Sequence, residues 1–263
     1  MSLPAPSPVA CGPFLPQVVS GALPLGHPLR GAVLLLGNFD GFHLGHQALL
    51  RAARRQARGR PVAVMSCEPH PRSFFGSESR PFRLTTAGLK PLLLTPHGID
   101  YIFAPRFDRD FASLSPQDFV DQVLVAGLGI HAVHAGPDFR FGHRRSGDMA
   151  LLRALGRAHG FAVGSLAQVT LAGARASSTA IRDHIRTGDI QVANRLLGAP
   201  WLVETTADGT GLHPDLCRPR PGRYLARQEG TAPVPVLIGA AGEFHLPGRK
   251  IPGPAPWHLL AKG

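Results

Sequence analysis

Between residues 33 and 197, short apolar runs alternate with longer stretches of helical period, and this alternation limits the fold more than any other feature. Residues 33–36, 62–67, 101–104, 132–135 and 161–166 read as buried strands. Residues 46–58, 85–94, 115–127, 148–159, 177–186 and 190–197 read as helices. In the first helix Ala48, Leu49, Ala52 and Ala53 form the apolar face. Pro91 interrupts the pattern of the second, because proline lacks an N–H and clashes inside a helix. Ser115 followed by Pro116 is a hydroxyl cap with proline in the first turn. Gly198 and Pro200 end the last helix. Strands without polar alternation are covered on both faces, so the fold class expected is α/β, a Rossmann-like domain with a parallel sheet.

The pattern divides the chain. Residues 1–30 are rich in proline and glycine and read as an irregular lead-in. Residues 31–199 carry the α/β alternation. Residues 200–263 form a short β-rich segment, with about four short strands and no helix.

The formal net charge is +11, and only Lys90, Lys250 and Lys262 are lysines, so the excess is arginine. A solvated basic surface explains this, and so does an anionic partner such as a phosphorylated small molecule, a nucleic acid or a membrane face. Charge alone does not choose between them. Cys11, Cys67 and Cys217 are far apart and form no CxxC pair, so no structural zinc site or disulfide framework is expected. No apolar run approaches the ~18 residues of a membrane span. The N-terminus lacks the basic and apolar regions of a secretory leader. The expectation is a cytoplasmic protein.

The stretch GNFDGFHLGH follows the first strand and opens the first helix. Amide groups at such a helix start carry partial positive charge and hold phosphate, and ligands of parallel sheets lie beyond the carboxyl ends of the strands. Gly37, Asn38, Phe39, Asp40, Gly41 and Gly45 suit a phosphate cradle, with His43 and His46 facing the same spot. Two ordinary turn residues or a weak metal pair are the alternatives. A zinc pair would take i, i+4 spacing and a third ligand, and neither is present. Later, Ser177, Ser178 and Thr179 open a helix flanked by Arg175 and Arg182. Either this is a plain cap or it holds a second cluster of phosphate oxygens. Two further loops, EPHPR with Pro69, His70 and Pro71, and GPDFRFG with Asp138, Arg140 and Phe141, each follow a strand. They read as surface loops or as part of the same site.

Together these stretches carry a resemblance. GNFDGFHLGH, EPHPRSFF, FRLTTAGLK, FDRDFASLSPQDFVDQVL, GPDFRFGHRRSGD and SSTAIRDHIRTGDIQVANRLLG occur in one order between about residues 33 and 200. In that order they resemble the FAD synthetase (FMN adenylyltransferase) half of the bacterial bifunctional riboflavin kinase/FAD synthetase family. The resemblance implies a nucleotidyltransferase that joins AMP from ATP to FMN, giving FAD and pyrophosphate, with Mg2+ travelling on the ATP. It implies that His43, His46 and Arg182 are catalytic and contact ATP phosphates. It puts residues 37–41, Gly45, Arg175, Ser177, Ser178 and Thr179 beside the nucleotide. Pro69, His70, Pro71, Asp138, Arg140 and Phe141 fall on the flavin side. ATP and FMN are the expected partners, with no metal-ligand set, nucleic acid or membrane.

The pattern departs from the family after Pro200. Only sixty-three residues follow, without a segment like the kinase signature GRxLGFPTAN. The stretch LCRPRPGRY at 216–224 is faintly similar to a later turn and strand of that barrel. The segment reads as a shrunken kinase remnant or an unrelated tail, and no riboflavin kinase activity is expected. A paralogue with another acceptor and a non-catalytic flavin- or nucleotide-binding regulator remain alternatives. An aminoacyl-tRNA synthetase fragment fits poorly, because no lysine lies between Lys90 and Lys250.

Overall fold

A computed structural model describes residues 15–78, 80–166, 170–171, 174–249, 251 and 253–263. Residues 1–14 of the expected lead-in, Cys11 among them, and Lys250 lie outside the described residues.

Six strands form one parallel sheet: β1 (Gln17–Val19), β2 (Val33–Leu36), β3 (Val62–Met65), β4 (Tyr101–Phe103), β5 (Ala132–Ala135) and β6 (Ala162–Ser165). Their order is β1-β4-β3-β2-β5-β6. The chain lays down β2, β3 and β4 toward one edge, then returns to place β5 on the other side of β2. The crevice between β2 and β5 is therefore the point where strand order reverses, the place where such sheets bind ligands. β1 corrects the irregular lead-in: Gln17 and Val19 pair in register with Tyr101 and Phe103. A three-residue strand at a sheet edge is too short to show any period.

The apolar runs are continuous because alternate residues enter two different layers. Leu34, Leu36, Ala63 and Met65 pack with Phe119, Leu124 and Leu152. Val33, Leu35, Val62 and Val64 pack with Leu49, Leu50 and Ala53. Each fully buried aliphatic side chain contributes roughly 1.5–3 kcal/mol.

The helices are α1 (Leu44–Ala57), α2 (Pro71–Phe74), α3 (Lys90–Leu94), α4 (Arg109–Ser113), α5 (Pro116–Asp118), α6 (Met149–His159), α7 (Ser178–Thr187) and α8 (Ile190–Leu197). α1 buries Leu49, Leu50, Ala53 and Ala57, so the inward face is turned from the Ala48–Leu49–Ala52–Ala53 stripe expected above. The expected helix over 85–94 shortens to α3, which begins where Pro91 falls in the first turn and no N–H is missed. Ser115 caps α5, accepting from the Asp118 N–H, and the chain then continues as a π-helical stretch, Phe119–Gly127. Asp148 and Ser177 cap α6 and α7 in the same way.

After a two-residue ladder of β7 (Thr170–Leu171) with β8 (Ala174–Arg175), the second sheet is antiparallel. Its strands are β9 (Trp201–Glu204), β10 (Gly222–Arg227), β11 (Val234–Ile238), β12 (Phe244–His245) and β13 (Pro256–Lys262), in the order β12-β11-β10-β13-β9. It has five strands where about four were expected. Tyr224, Ala226, Val236, Ile238 and Leu259 share a core with Ile181, Ile185, Ala193 and Leu196 of α7 and α8. Asn194 staples the contact: its amide donates to the Leu259 carbonyl at 2.9 Å, and its side-chain oxygen accepts from the Trp201 N–H at 2.8 Å. The Trp201 indole N–H reaches the Leu84 carbonyl at 2.8 Å.

Candidate functional site

β2 ends at Leu36, and the next seven residues make a tight turn into α1. Phe39 takes a left-handed backbone with φ 46° while its ring is buried. Such a conformation costs a non-glycine residue about 1–3 kcal/mol and persists only where neighbours fix it. Gly41 has φ 64°, and a Cβ there would stand 2.8 Å from Leu84 Cδ1, so only glycine fits.

Asp40 straps this turn to the rest of the domain. Its Oδ1 accepts the Leu84 N–H at 2.8 Å and the Thr85 N–H at 2.9 Å, and its Oδ2 accepts from Arg182 Nη2 at 2.7 Å. The Asp40 carbonyl accepts the Ser178 hydroxyl at 2.8 Å. Arg182 Nε also donates to the Phe82 carbonyl at 2.7 Å. Both Asp40 and Arg182 are buried. Asp40, Ser178 and Arg182, expected at the nucleotide, thus spend these polar groups on one another and on neighbouring backbone. Arg182 does not line the cleft described next; its guanidinium is turned inward to balance the Asp40 carboxylate.

His43 caps α1, its Nδ1 accepting the His46 N–H at a long 3.4 Å. That leaves the neutral ring's proton on Nε2. The two imidazoles stack at 3.6 Å between centroids, 20° apart in plane. Burial pulls the His43 pKa down to about 4 against the opposing pull of the Asp40 carboxylate. Burial, and then the neighbouring His43, lower that of His46 well below its ordinary value. Both rings are therefore neutral near pH 7. His46 Nδ1 is buried without a hydrogen-bond partner. At Gly45 a Cβ would lie 3.0 Å from His43 Cε1 and 3.2 Å from the Ala176 carbonyl, so the bare backbone lets the helix start and the 175–177 segment close on one another.

These pieces meet in one cleft, lined by Phe39, His43, His46, Gly136, Arg175 and Ser177 among others. It opens at the carboxyl ends of β2 and β5, where strand order reverses. The glycine turn and the serine-led helix, separated in sequence by more than a hundred residues, face the same space. Arg175 also pairs with Asp138 at 3.2 Å. Thr179 is exposed and is not part of this lining.

On the other side of the turn lies a second cavity of about 420 Å³, walled by Phe75, Phe107, Phe111, Phe119, Phe139 and Phe141. Arg72, Arg140, Arg144 and Arg145 surround it, and Gly37 and Asn38 contribute from the turn. Arg144 and Arg145 hold left-handed backbones, with φ 52° and 58°. Of the loop residues expected on this side, Pro71, Arg140 and Phe141 line the cavity; Pro69, His70 and Asp138 do not. His70 instead caps α2, accepting the Arg72 N–H at 3.1 Å. Burial lowers its pKa to about 4.

The sequence reading passed over several residues. Phe107 and Phe111 stand four apart within FDRDFASLSPQDFVDQVL, where nothing local marks them as part of a site. Phe139 sits unremarked between Asp138 and Arg140. Lys90 is buried under the turn, donating to the Asn38 carbonyl at 3.0 Å and to the Ser66 hydroxyl. Glu68 lies 3.8 Å from Lys90 Nζ and pairs with both terminal nitrogens of Arg83 at 2.8 and 2.6 Å. Burial brings the Lys90 pKa down to about 8 against the pull of Glu68.

A family model described as FAD synthetase matches residues 27–180. The bifunctional riboflavin kinase/FMN adenylyltransferase of Escherichia coli (strain K12) is 39% identical over 228 residues, covering 84% of this chain and 72% of that protein. The protein of the same description from Pseudomonas fluorescens is 40% identical over 224 residues, covering 84% and 68%. A solved structure titled macrolide-efflux protein, from Streptococcus pneumoniae, has a TM-score of 0.75 at 20% identity, over 95% of this chain and 91% of that one, a likeness of fold alone.

Proposed function

The chain belongs to the FAD synthetase family, and from that membership we infer how its two pockets divide the transfer of AMP from ATP to FMN. The cleft with His43, His46, Arg175 and Ser177 takes the ATP phosphates. The aromatic cavity takes the isoalloxazine of FMN, with Arg140, Arg144 and Arg145 near its phosphate. The observation that carries this division is the shared wall: Leu36 and Phe39 line the cleft, while Gly37 and Asn38 line the cavity. Two ligands on opposite sides of the four residues where β2 runs into the turn bring their phosphates together beside it.

An FMN phosphate oxygen attacks the α-phosphorus of ATP. The new P–O bond forms as the bridge to the β-phosphate breaks, and pyrophosphate leaves with the bonding pair. A phosphate monoester is already ionised near neutral pH, so no general base is needed. What the chain supplies is position and charge balance for two polyanions. Neutral imidazoles with their protons on the outer nitrogens donate hydrogen bonds to phosphate oxygens, and Arg175 adds fixed charge. Arg182 and Lys90 act through the turn as positioning residues. No group of three His, Cys, Asp or Glu side chains among the described residues is placed to hold a metal ion. Mg2+ would travel on the ATP phosphates, where it would offset charge growing on the departing pyrophosphate.

No helix among the described residues is long and apolar enough to cross a membrane. The substrates are cytoplasmic metabolites, and we place the enzyme there. We read residues 200–263 as a remnant of the kinase barrel without kinase activity. A match covering 84% of the chain necessarily runs past residue 200, which supports the kinship; the loss of activity is inferred from the missing GRxLGFPTAN-like segment.

Incubation of the purified chain with FMN, ATP and Mg2+, followed by chromatography, is expected to yield FAD and pyrophosphate in equal amounts. Riboflavin in place of FMN is expected to yield no FMN. Absence of FAD would overturn the first inference, and formation of FMN the second.

A further inference from the structure

Four arginines converge outside the linings of both pockets. Arg80, Arg186, Arg218 and Arg220 line a cleft of about 490 Å³ where the second sheet meets the segment leading into the Asp40 strap. We propose that this cleft is a separate anion site that takes the di- or triphosphate group of a small molecule.

The arginines come from three places. Arg80 precedes the strap, Arg186 is in the last turn of α7, and Arg218 and Arg220 lie on the loop before β10. A charged helix face would draw its cations from one element at helical spacing; this cleft gathers them across the fold. Pro81, Pro219 and Pro221 stand beside them in the lining. Proline restricts the chain before any ligand arrives and so lowers the ordering cost of binding. Arg218 is fixed further: its Nη1 donates to the His213 carbonyl at 2.9 Å and the Leu216 carbonyl at 3.0 Å, and its Nη2 to the Pro214 carbonyl at 3.3 Å. Carbonyls hold its orientation without cancelling its charge.

No carboxylate is among the described lining residues. Asp183 lies 3.5 Å from Arg186, and Asp215 and Glu243 act on Arg218 from outside the lining. That leaves net positive charge facing one space. Guanidiniums bind phosphate oxygens through paired N–H donors, and several at once suit a chain of phosphates better than a single carboxylate. The cleft also borders the strap. Pro81 precedes Phe82, whose carbonyl holds Arg182, and Arg186 is one helical turn beyond Arg182.

Inorganic tripolyphosphate and ATP share this chemistry and serve as the two probes. In calorimetric titrations of the full chain at ~0.05 M salt, tripolyphosphate or ATP is expected to fill two sites on the native protein. The double variant R80Q/R220Q, changed at exposed side chains that neither substrate pocket uses, is expected to weaken the second site at least about tenfold. R186Q is expected to do the same by a separate route. Raising salt to ~0.5 M should weaken the second site in the native protein. Filling by tripolyphosphate as well as ATP makes the phosphate chain the ligand; filling by ATP alone adds a contribution from the nucleoside. A single site for both probes at millimolar concentration overturns the proposal, as does a second site unchanged in both variants. The comparison counts sites and does not depend on adenylyl transfer, so its failure and the failure of that activity are distinguishable.

Discussion

His43 is buried and His46 half-buried before any substrate arrives, and desolvation holds both rings uncharged near pH 7. They therefore present one ring proton each, and binding a triphosphate against them favours uptake of a second. Replacing His43 by alanine is expected to lower FAD formation roughly 10²–10³-fold, the usual effect of losing one preorganised donor. The melting temperature should barely move, because the only cap bond lost is the 3.4 Å contact to the His46 N–H. A variant that melts early instead would mark a structural role. The same burial sets a pH dependence. Histidines in the unfolded chain take protons below about 6.5, whereas folded His43 and His70 resist until about 4. Stability present above pH 6.5 is accordingly lost as the pH falls toward 4. Denaturant unfolding across that window should show the decline. His70→Asn, which keeps a good capping residue on α2 while removing one titrating ring, should make it shallower.

At the scale of elements, the glycine turn, the 82–85 segment and the start of α7 are one strapped unit, with the Asp40–Arg182 pair at its centre. Arg182→Met leaves a buried carboxylate without its cation and is expected to cost about 3–5 kcal/mol. Chemical denaturation measures this, and adding Asp40→Asn should recover part of the loss. A phosphate-binding arginine without this pair would change activity and leave stability nearly untouched. The histidines, the glycines and Ser177 were legible in the sequence because a strand, a turn and a helix cap each leave a local signature. The inward turn of Arg182 was not, because it depends on Asp40, placed far off in sequence and brought near only by the fold. The aromatic wall was missed for a similar reason. Phe107, Phe111 and Phe139 look like ordinary core residues until the loops carrying them face one cavity. Four buried strands of the main sheet were readable from apolar runs, and the fifth run expected to be buried, β6, is a strand at the sheet edge with none of its residues buried; β1 and the short strands after Pro200 carry too few residues to show a period.

The whole molecule has more than one core, and the position where composition shifts does not separate them. α7 and α8 precede Pro200, yet Ile181, Ile185, Ala193 and Leu196 are buried together with the second sheet. Ending the chain at residue 199 would expose that face and remove the Trp201 bond to Leu84. We expect the shortened chain to aggregate or melt far below the full chain, as light scattering and thermal unfolding would register. A soluble, active 1–199 fragment would show that the second sheet is dispensable.

The central claim is that one short turn separates a nucleotide cleft from a flavin cavity, and steady-state kinetics on two variants tests it most directly. Phe139→Ala is expected to raise KM for FMN at least about tenfold while leaving KM for ATP within about twofold; Arg175→Ala should do the reverse, through the phosphate contact it removes. If both variants shift both constants together, or if Phe139→Ala acts on ATP and Arg175→Ala on FMN, the division of the two substrates across residues 36–39 is wrong.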